Sequence, residues 1–167
     1  MKTYLNGVQS TAAIAGHPIH PILVVFPIAF LVGLLVTDIV YASAKVPFWA
    51  EASRWLALSG VVMGGVAAIF GVIDFFTIDR ARQVTAGWIH ALGNIAALTI
   101  AIINTYLHWS NPVGSINPTI IILSAITVFL LLITGWYGGE LAYRFGIGVT
   151  ISATKEQQGA APIRRAA

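Results

Sequence analysis

Four apolar stretches run along this chain, and short, more polar segments separate them. The stretches cover residues 21–43, 54–76, 87–109 and 118–143. An α-helix rises about 1.5 Å per residue, so each stretch is long enough to cross a hydrocarbon layer of about 30 Å. The short connections between them favour antiparallel neighbours. The pattern predicts an all-α integral membrane protein, built as a four-helix up-down bundle.

Composition narrows the domain organisation to one membrane domain. The chain is 57% hydrophobic and only 9% charged, whereas about a quarter of the residues in an ordinary soluble domain are charged. We expect residues 1–20 to form an N-terminal cytoplasmic segment with an HPxHP motif and residues 21–149 to form the four-span domain. Residues 150–167 are polar and predict a disordered cytoplasmic tail. The N-terminus lacks the pattern of a cleavable signal peptide, so the first stretch is expected to remain as an anchor.

The basic residues predict the orientation of the bundle. Four spans place both termini on one side of the membrane, and Lys45 and Arg54 are the basic residues expected on the other side. The positive-inside rule then makes the terminal side cytoplasmic. The basic residues of that side are Lys2, Arg80, Arg82, Arg144, Lys155, Arg164 and Arg165.

Polar and small residues recur within the apolar stretches at alternating steps of four and three. This spacing places them on one face of each helix, and that face is expected inside the bundle because lipid does not accommodate His or Asn. In the first stretch, Pro27 is expected to kink the helix or loosen one backbone hydrogen bond. The stripes are His17, His20, Val24, Pro27, Leu31, Leu34, Asp38; Gly60, Gly64, Ala67, Gly71, Asp74; and His90, Asn94, Ala97, Ala101, Asn104, His108.

These stripes predict two polar clusters at opposite ends of the bundle. His90 and His108 are about 27 Å apart along one helix, so the two clusters are separate sites. At the second end, His108 is expected to pair with Asp38, near Asn104 and Arg54. The cluster at the end with the termini contains His17, His20, Asp74, His90, Asn94 and Glu140.

Several motifs carry a resemblance to a known family. They are GHPIHPILVVFPIAF followed by Asp38, GVID ending at Asp74, the His90 and Asn94 pair, and GWYGGELAYRFGIGV. Together they resemble a bacterial membrane family catalogued as domain of unknown function 2231, whose activity is not established. Some members are joined to Rieske-type iron–sulfur domains, which implies a redox role and a bacterial inner-membrane location. Members often have His where this chain has Phe145.

The favoured function at the terminal cluster is membrane electron transfer through one b-type haem. Haem in a helical bundle takes axial ligands from facing helices, and we expect His20 and His90 in that role, with His17 and Asn94 beside them. Gly93 and the glycine face of the second stretch are expected to make room for the macrocycle. Cations for its propionates are expected from Arg80, Arg82 or Arg144.

The residues of this cluster are also consistent with other functions. Zinc or non-haem iron could bind His17, His20 and His90 together with Asp74 or Glu140. The polar residues could instead only satisfy one another, in an accessory subunit of a larger membrane complex. The expected partner is a redox partner such as a Rieske-type protein, or a larger membrane complex. An activity of the chain by itself is not indicated. Cysteine-ligated clusters within the chain are excluded because it has no cysteine, and nucleic-acid binding is excluded for lack of a basic face.

Overall fold

The structure is a computed structural model, and it describes residues 7–110 and 116–149. It confirms the all-α class, with four helical stretches long and apolar enough to span a membrane. The predicted tail, residues 150–167, lies outside the described residues, as does part of the third connection. The helices are α1 (Ile19–Leu23), α2 (Val25–Ala44), α3 (Pro47–Thr77), α4 (Asp79–Gln83), α5 (Thr85–Ser110) and α6 (Pro118–Gly139), the last continued by a π-helical turn (Glu140–Arg144).

The spans form a closed ring of four. α2 packs against α3, α3 against α5, α5 against α6, and α6 against α2. The first span (α1 with α2) and the third (α5) therefore face each other across a diagonal. Small residues such as Ala57 and Ala101 pack with Leu31 and Leu34 in the interior, while many large apolar side chains point outward, as lipid contact requires.

Two connections between spans differ from the sequence prediction, since the first is shorter than expected and the second contains a helix. Residues 44–53 were expected as a loop, but α3 begins at Pro47 and leaves only two residues between the spans. Proline suits the first turn of a helix because its fixed φ is already helical and its missing N–H has no partner there anyway. The turn is closed by Lys45 in the left-handed conformation (φ 56°). The second connection contains α4.

Pro27 interrupts the first span as expected. The break between α1 and α2 falls at Val24, directly after Leu23. A proline at position 27 cannot donate to the carbonyl of Leu23, four residues earlier, and its ring crowds that carbonyl. The first span consequently consists of a short helix that carries His20 and a longer helix that carries Asp38.

Residues 7–18 form a strap across one end of the bundle, and we call that end the terminal end and the opposite one the distal end. A two-residue hairpin pairs Ala13–Ile14 with His17–Pro18 and leads directly into α1. On the other side, the Val8 N–H donates to the Gly146 carbonyl (2.7 Å) and the Val8 carbonyl accepts from the Gly148 N–H (2.8 Å). The helix therefore starts at Ile19, two residues before the expected start of the first span at residue 21.

Candidate functional site

His20 lies in the first turn of the first span and packs against the second span. Its Nδ1 is 2.8 Å from the carbonyl oxygen of Ala67. One turn further along α3, a Cβ built on Gly71 would lie 2.8 Å from Cε1 of the imidazole. The glycine face of α3 therefore serves to admit this imidazole, because any larger residue at position 71 would displace it.

His90 occupies the equivalent position on the other side of the bundle. Its Nδ1 is 2.8 Å from the carbonyl oxygen of Thr134 in α6. A Cβ on Gly138 would lie 3.0 Å from Cε1 of its ring. Each histidine thus contacts a backbone carbonyl and a glycine of the neighbouring span.

The two imidazoles meet across the diagonal. Their ring centres are 6.0 Å apart and their planes are perpendicular. A carbonyl oxygen can only accept a hydrogen bond, so both Nδ1 atoms carry a hydrogen, and a neutral ring then has its lone pair on Nε2. This tautomer is the one in which a histidine binds a metal through Nε2 while a backbone carbonyl orients its ring.

The spacing of the rings matches that of two imidazoles on one metal ion. Bonds from a metal to imidazole nitrogen are about 2.0 Å long, so two rings on opposite sides of one ion have their centres about 6 Å apart. The donor set also fits, since paired imidazoles are axial ligands of haem iron. Space for a macrocycle does not come from the expected glycines. His20 fills the space at Gly71, and the Thr134 methyl would be 2.5 Å from a Cβ at Gly93.

Asn94 supports His90 from the next turn of α5. Its Nδ2 donates to the backbone carbonyl of His90 (2.7 Å) and lies 3.4 Å from both ring nitrogens. Its Oδ1 accepts from the hydroxyl of Thr134 (3.1 Å). Because Thr134 also supplies the carbonyl that binds His90, these three residues form one network between α5 and α6.

Asp74 holds the strap and, through it, the start of α1. Its Oδ1 accepts from the backbone N–H groups of Thr11 and Ala12, both at 3.0 Å. Its carboxylate also accepts from the hydroxyl of Ser10, at 2.7 Å to Oδ2. The Ala12 carbonyl in turn accepts from the N–H of Ile19 (2.9 Å), the residue before His20. Asp74 therefore holds the backbone next to His20 in place, and its carboxylate accepts hydrogen bonds from the strap.

Two other residues predicted at this site, His17 and Glu140, have their hydrogen-bond partners outside the histidine pair. His17 is exposed, and its Nδ1 contacts the carbonyl of Ala15 in the hairpin. Glu140 pairs with Arg144 (2.8 Å). Within the residues described, no group of three or more His, Asp or Glu side chains could hold a metal ion.

The arginines expected near propionates already have protein acceptors. Arg80 donates to the carbonyl of Phe145 (3.2 Å), and Arg82 pairs with Asp79 and with carbonyls at the end of α3. Together with Arg144 they place positive charge around the terminal end.

The distal end contains the second predicted cluster, and its pairing is confirmed. His108 Nε2 lies 3.0 Å from Asp38 Oδ1, and His108 Nδ1 lies 2.8 Å from the carbonyl of Asn104. The hydroxyl of Ser124 donates to Asp38 Oδ2 (2.6 Å) and accepts from Asn104 Nδ2 (2.7 Å). Arg54 lies there as expected, with its Nε donating to the His108 carbonyl (3.0 Å). This cluster is sealed, because Asp38 and Asn104 have no exposed surface.

A family model described as predicted membrane proteins, domain of unknown function 2231, matches residues 16–151. The chain belongs to this family. The match contains both histidine positions of the terminal pair and the whole distal cluster. No curated protein and no solved structure matches the chain.

The fourth span supplies two buried polar residues that were not predicted from the sequence. Ser124 and Thr134 are buried, and each completes one of the two clusters. The signal was available, because α6 has the same four-and-three alternation as α5. Its stripe consists of Ile120, Ser124, Thr127, Leu131, Thr134 and Gly138.

Proposed function

We propose that the protein transfers electrons in the membrane through one b-type haem, with His20 and His90 as axial ligands. The observation that carries this proposal is the facing imidazole pair, with both Nδ1–H groups bound to carbonyls and ring centres 6.0 Å apart. When bound, haem iron supplies one-electron chemistry.

The residues around the pair hold the imidazoles in their tautomer and orientation. The carbonyls of Ala67 and Thr134 fix the Nδ1–H direction, and Asn94 fixes the backbone of His90. Hydrogen bonds of this kind raise the basicity of a histidine ligand and set its ring angle.

The test is the visible spectrum of the purified, full-length protein before and after dithionite reduction. A Soret band with sharp α and β bands on reduction is expected, and His20→Ala or His90→Ala should each abolish it. The matched control is His17→Ala, which removes an exposed histidine three residues from His20 and should leave the bands unchanged.

Other outcomes of the same experiment oppose the haem proposal. A colourless protein that contains zinc or iron in proportion to its histidine pair would support a two-histidine metal site, to which external ligands complete the coordination. A colourless, metal-free protein would leave the pair as a packing device, and the chain as an accessory subunit of a larger complex.

We infer that the terminal end faces the cytoplasm, in the bacterial inner membrane. Among the described residues, Arg80, Arg82 and Arg144 lie at that end and Lys45 and Arg54 at the distal end, so the positive-inside rule supports this orientation. A redox partner, such as a Rieske-type protein, would then approach from that side. Because the chain has no cysteine, a single Cys at position 79 or at position 48 reports the side by labelling with an impermeant maleimide in intact cells.

A further inference from the structure

The distal cluster has a proton count that its hydrogen bonds determine. The Asn104 carbonyl can only accept, so His108 Nδ1 carries a hydrogen. The other nitrogen, Nε2, lies 3.0 Å from a carboxylate oxygen of Asp38, which also only accepts when it is ionised. Without a proton between them, a nitrogen lone pair would face a carboxylate oxygen at hydrogen-bond distance.

A proton therefore lies between Asp38 and His108. It can be counted as an imidazolium beside a carboxylate or as a neutral imidazole beside a carboxylic acid, and both descriptions contain the same number of protons. The hydroxyl of Ser124 donates to the second carboxylate oxygen and so leaves that oxygen no need of a proton. Losing the shared proton to solvent would leave a buried charge without its partner, which is costly in a low-dielectric interior.

The charged and titratable groups around the pair are few. The second span contributes Arg54, which binds the backbone carbonyl of His108, and the first span contributes the buried Tyr41 one turn after Asp38. The fourth span contributes Ser124, which does not titrate in this range. Asn104 adds a separate observation: its Oδ1 is buried and has no hydrogen-bond partner among the described residues. Such an acceptor calls for a donor, and water or hydronium is the smallest one.

We propose that the distal cluster is a proton-binding site inside the membrane, where Asp38 and His108 hold one proton between them and Asn104 Oδ1 accepts a hydrogen bond from a water molecule. This site lies about 27 Å from the histidine pair and does not depend on the proposed haem.

The test uses the full-length protein in lipid vesicles with ¹⁵N-labelled histidine. In the wild type at neutral pH, both ring nitrogens of His108 should report a bound or shared proton. Asp38→Asn keeps a hydrogen bond, because its amide can donate to Nε2. It should convert His108 to the neutral Nδ1–H form and lower by one the protons released on titration to alkaline pH.

The matched control is Asp79→Asn, which changes an exposed carboxylate and should leave every histidine signal in place. The proposal is overturned if wild-type His108 titrates like a free histidine, a result that needs no variant. It is also overturned if folded Asp38→Asn protein releases as many protons as the wild type. The ¹⁵N signals of His108 should be the same in protein that contains haem and in protein that lacks it, because this proposal does not depend on the proposed haem.

Discussion

The two ends of the bundle use the same construction for different chemistry. At each end a histidine of α5 faces a residue of the first span across the diagonal, and its Nδ1–H donates to a backbone carbonyl. The difference lies in the group across the diagonal. At the terminal end it is a second imidazole, with ring centres 6.0 Å apart, and at the distal end it is a carboxylate, 3.0 Å from Nε2. Two imidazoles offer a pair of nitrogen ligands for one metal ion, whereas an imidazole beside a carboxylate suits a shared proton.

The two ends also differ in how deeply their side chains are buried. Asp38 is fully buried and His108 is 3% exposed, whereas His20 and His90 are only partly buried. A site that exchanges electrons with partners benefits from lying near a surface, and a site that holds a charge pair in hydrocarbon requires enclosure. The comparison predicts that the distal pair contributes more to stability and the terminal pair more to binding.

The largest expected effect on stability is at the distal end. His108→Ala leaves Asp38 buried with only Ser124 as a partner, and breaking a buried pair in this way costs about 3–5 kcal/mol. The measurement is the free energy of unfolding in detergent micelles. His17→Ala is the control, since its exposed ring contacts only a carbonyl of the hairpin. A loss below about 1 kcal/mol, as is common for hydrogen bonds between membrane helices, would contradict the picture of a sealed pair.

An intermediate effect is expected where glycines admit the terminal imidazoles. Gly71→Ala and Gly138→Ala place a Cβ 2.8 and 3.0 Å from an imidazole carbon, so each should displace its histidine, weaken the haem bands and cost about 1–3 kcal/mol.

The same two helices provide matched controls. Gly65→Ala on α3 and Gly135→Ala on α6 meet no atom within 4 Å, so they should keep the bands and cost nothing. Should all four variants behave alike, the fit of the imidazoles against Gly71 and Gly138 would have no role in binding.

The smallest effect on global stability is expected at the strap. Asp74→Ala removes the acceptor of two backbone N–H groups and of the Ser10 hydroxyl, and hydrogen bonds to a charged group are worth about 1.5–3 kcal/mol. Amide exchange of Thr11 and Ala12 should therefore accelerate by about tenfold or more while the spans stay protected. Asp79→Ala, a nearby exposed carboxylate, serves as control. Unchanged exchange at Thr11 would mean that other contacts hold the strap.

The fold and much of the site could be predicted from the sequence, because membrane helices show long apolar stretches and a clear helical periodicity. The four spans and the Asp38–His108 pairing were predicted from apolar length and from the four-and-three spacing, and the interruption near Pro27 was predicted from the chemistry of proline. The role of Asp74 was not, since nothing in the spacing indicates that a carboxylate binds the backbone of residues 11 and 12, some sixty positions earlier. The start of α3 at Pro47 was missed because the polar residues Glu51 and Arg54 obscured a helix that extends beyond the apolar stretch.

By itself, the sequence determined that four helices are long and apolar enough to cross a membrane and which face of the first three turns inward, because apolar length and helical period are local properties of a chain. Only the tertiary structure decided which atoms meet on those faces. It brought two imidazole rings together at one end, with centres 6.0 Å apart, and placed an Nε2 atom 3.0 Å from a carboxylate oxygen at the other. Those contacts depend on helix order, depth and rotation, which no single segment encodes.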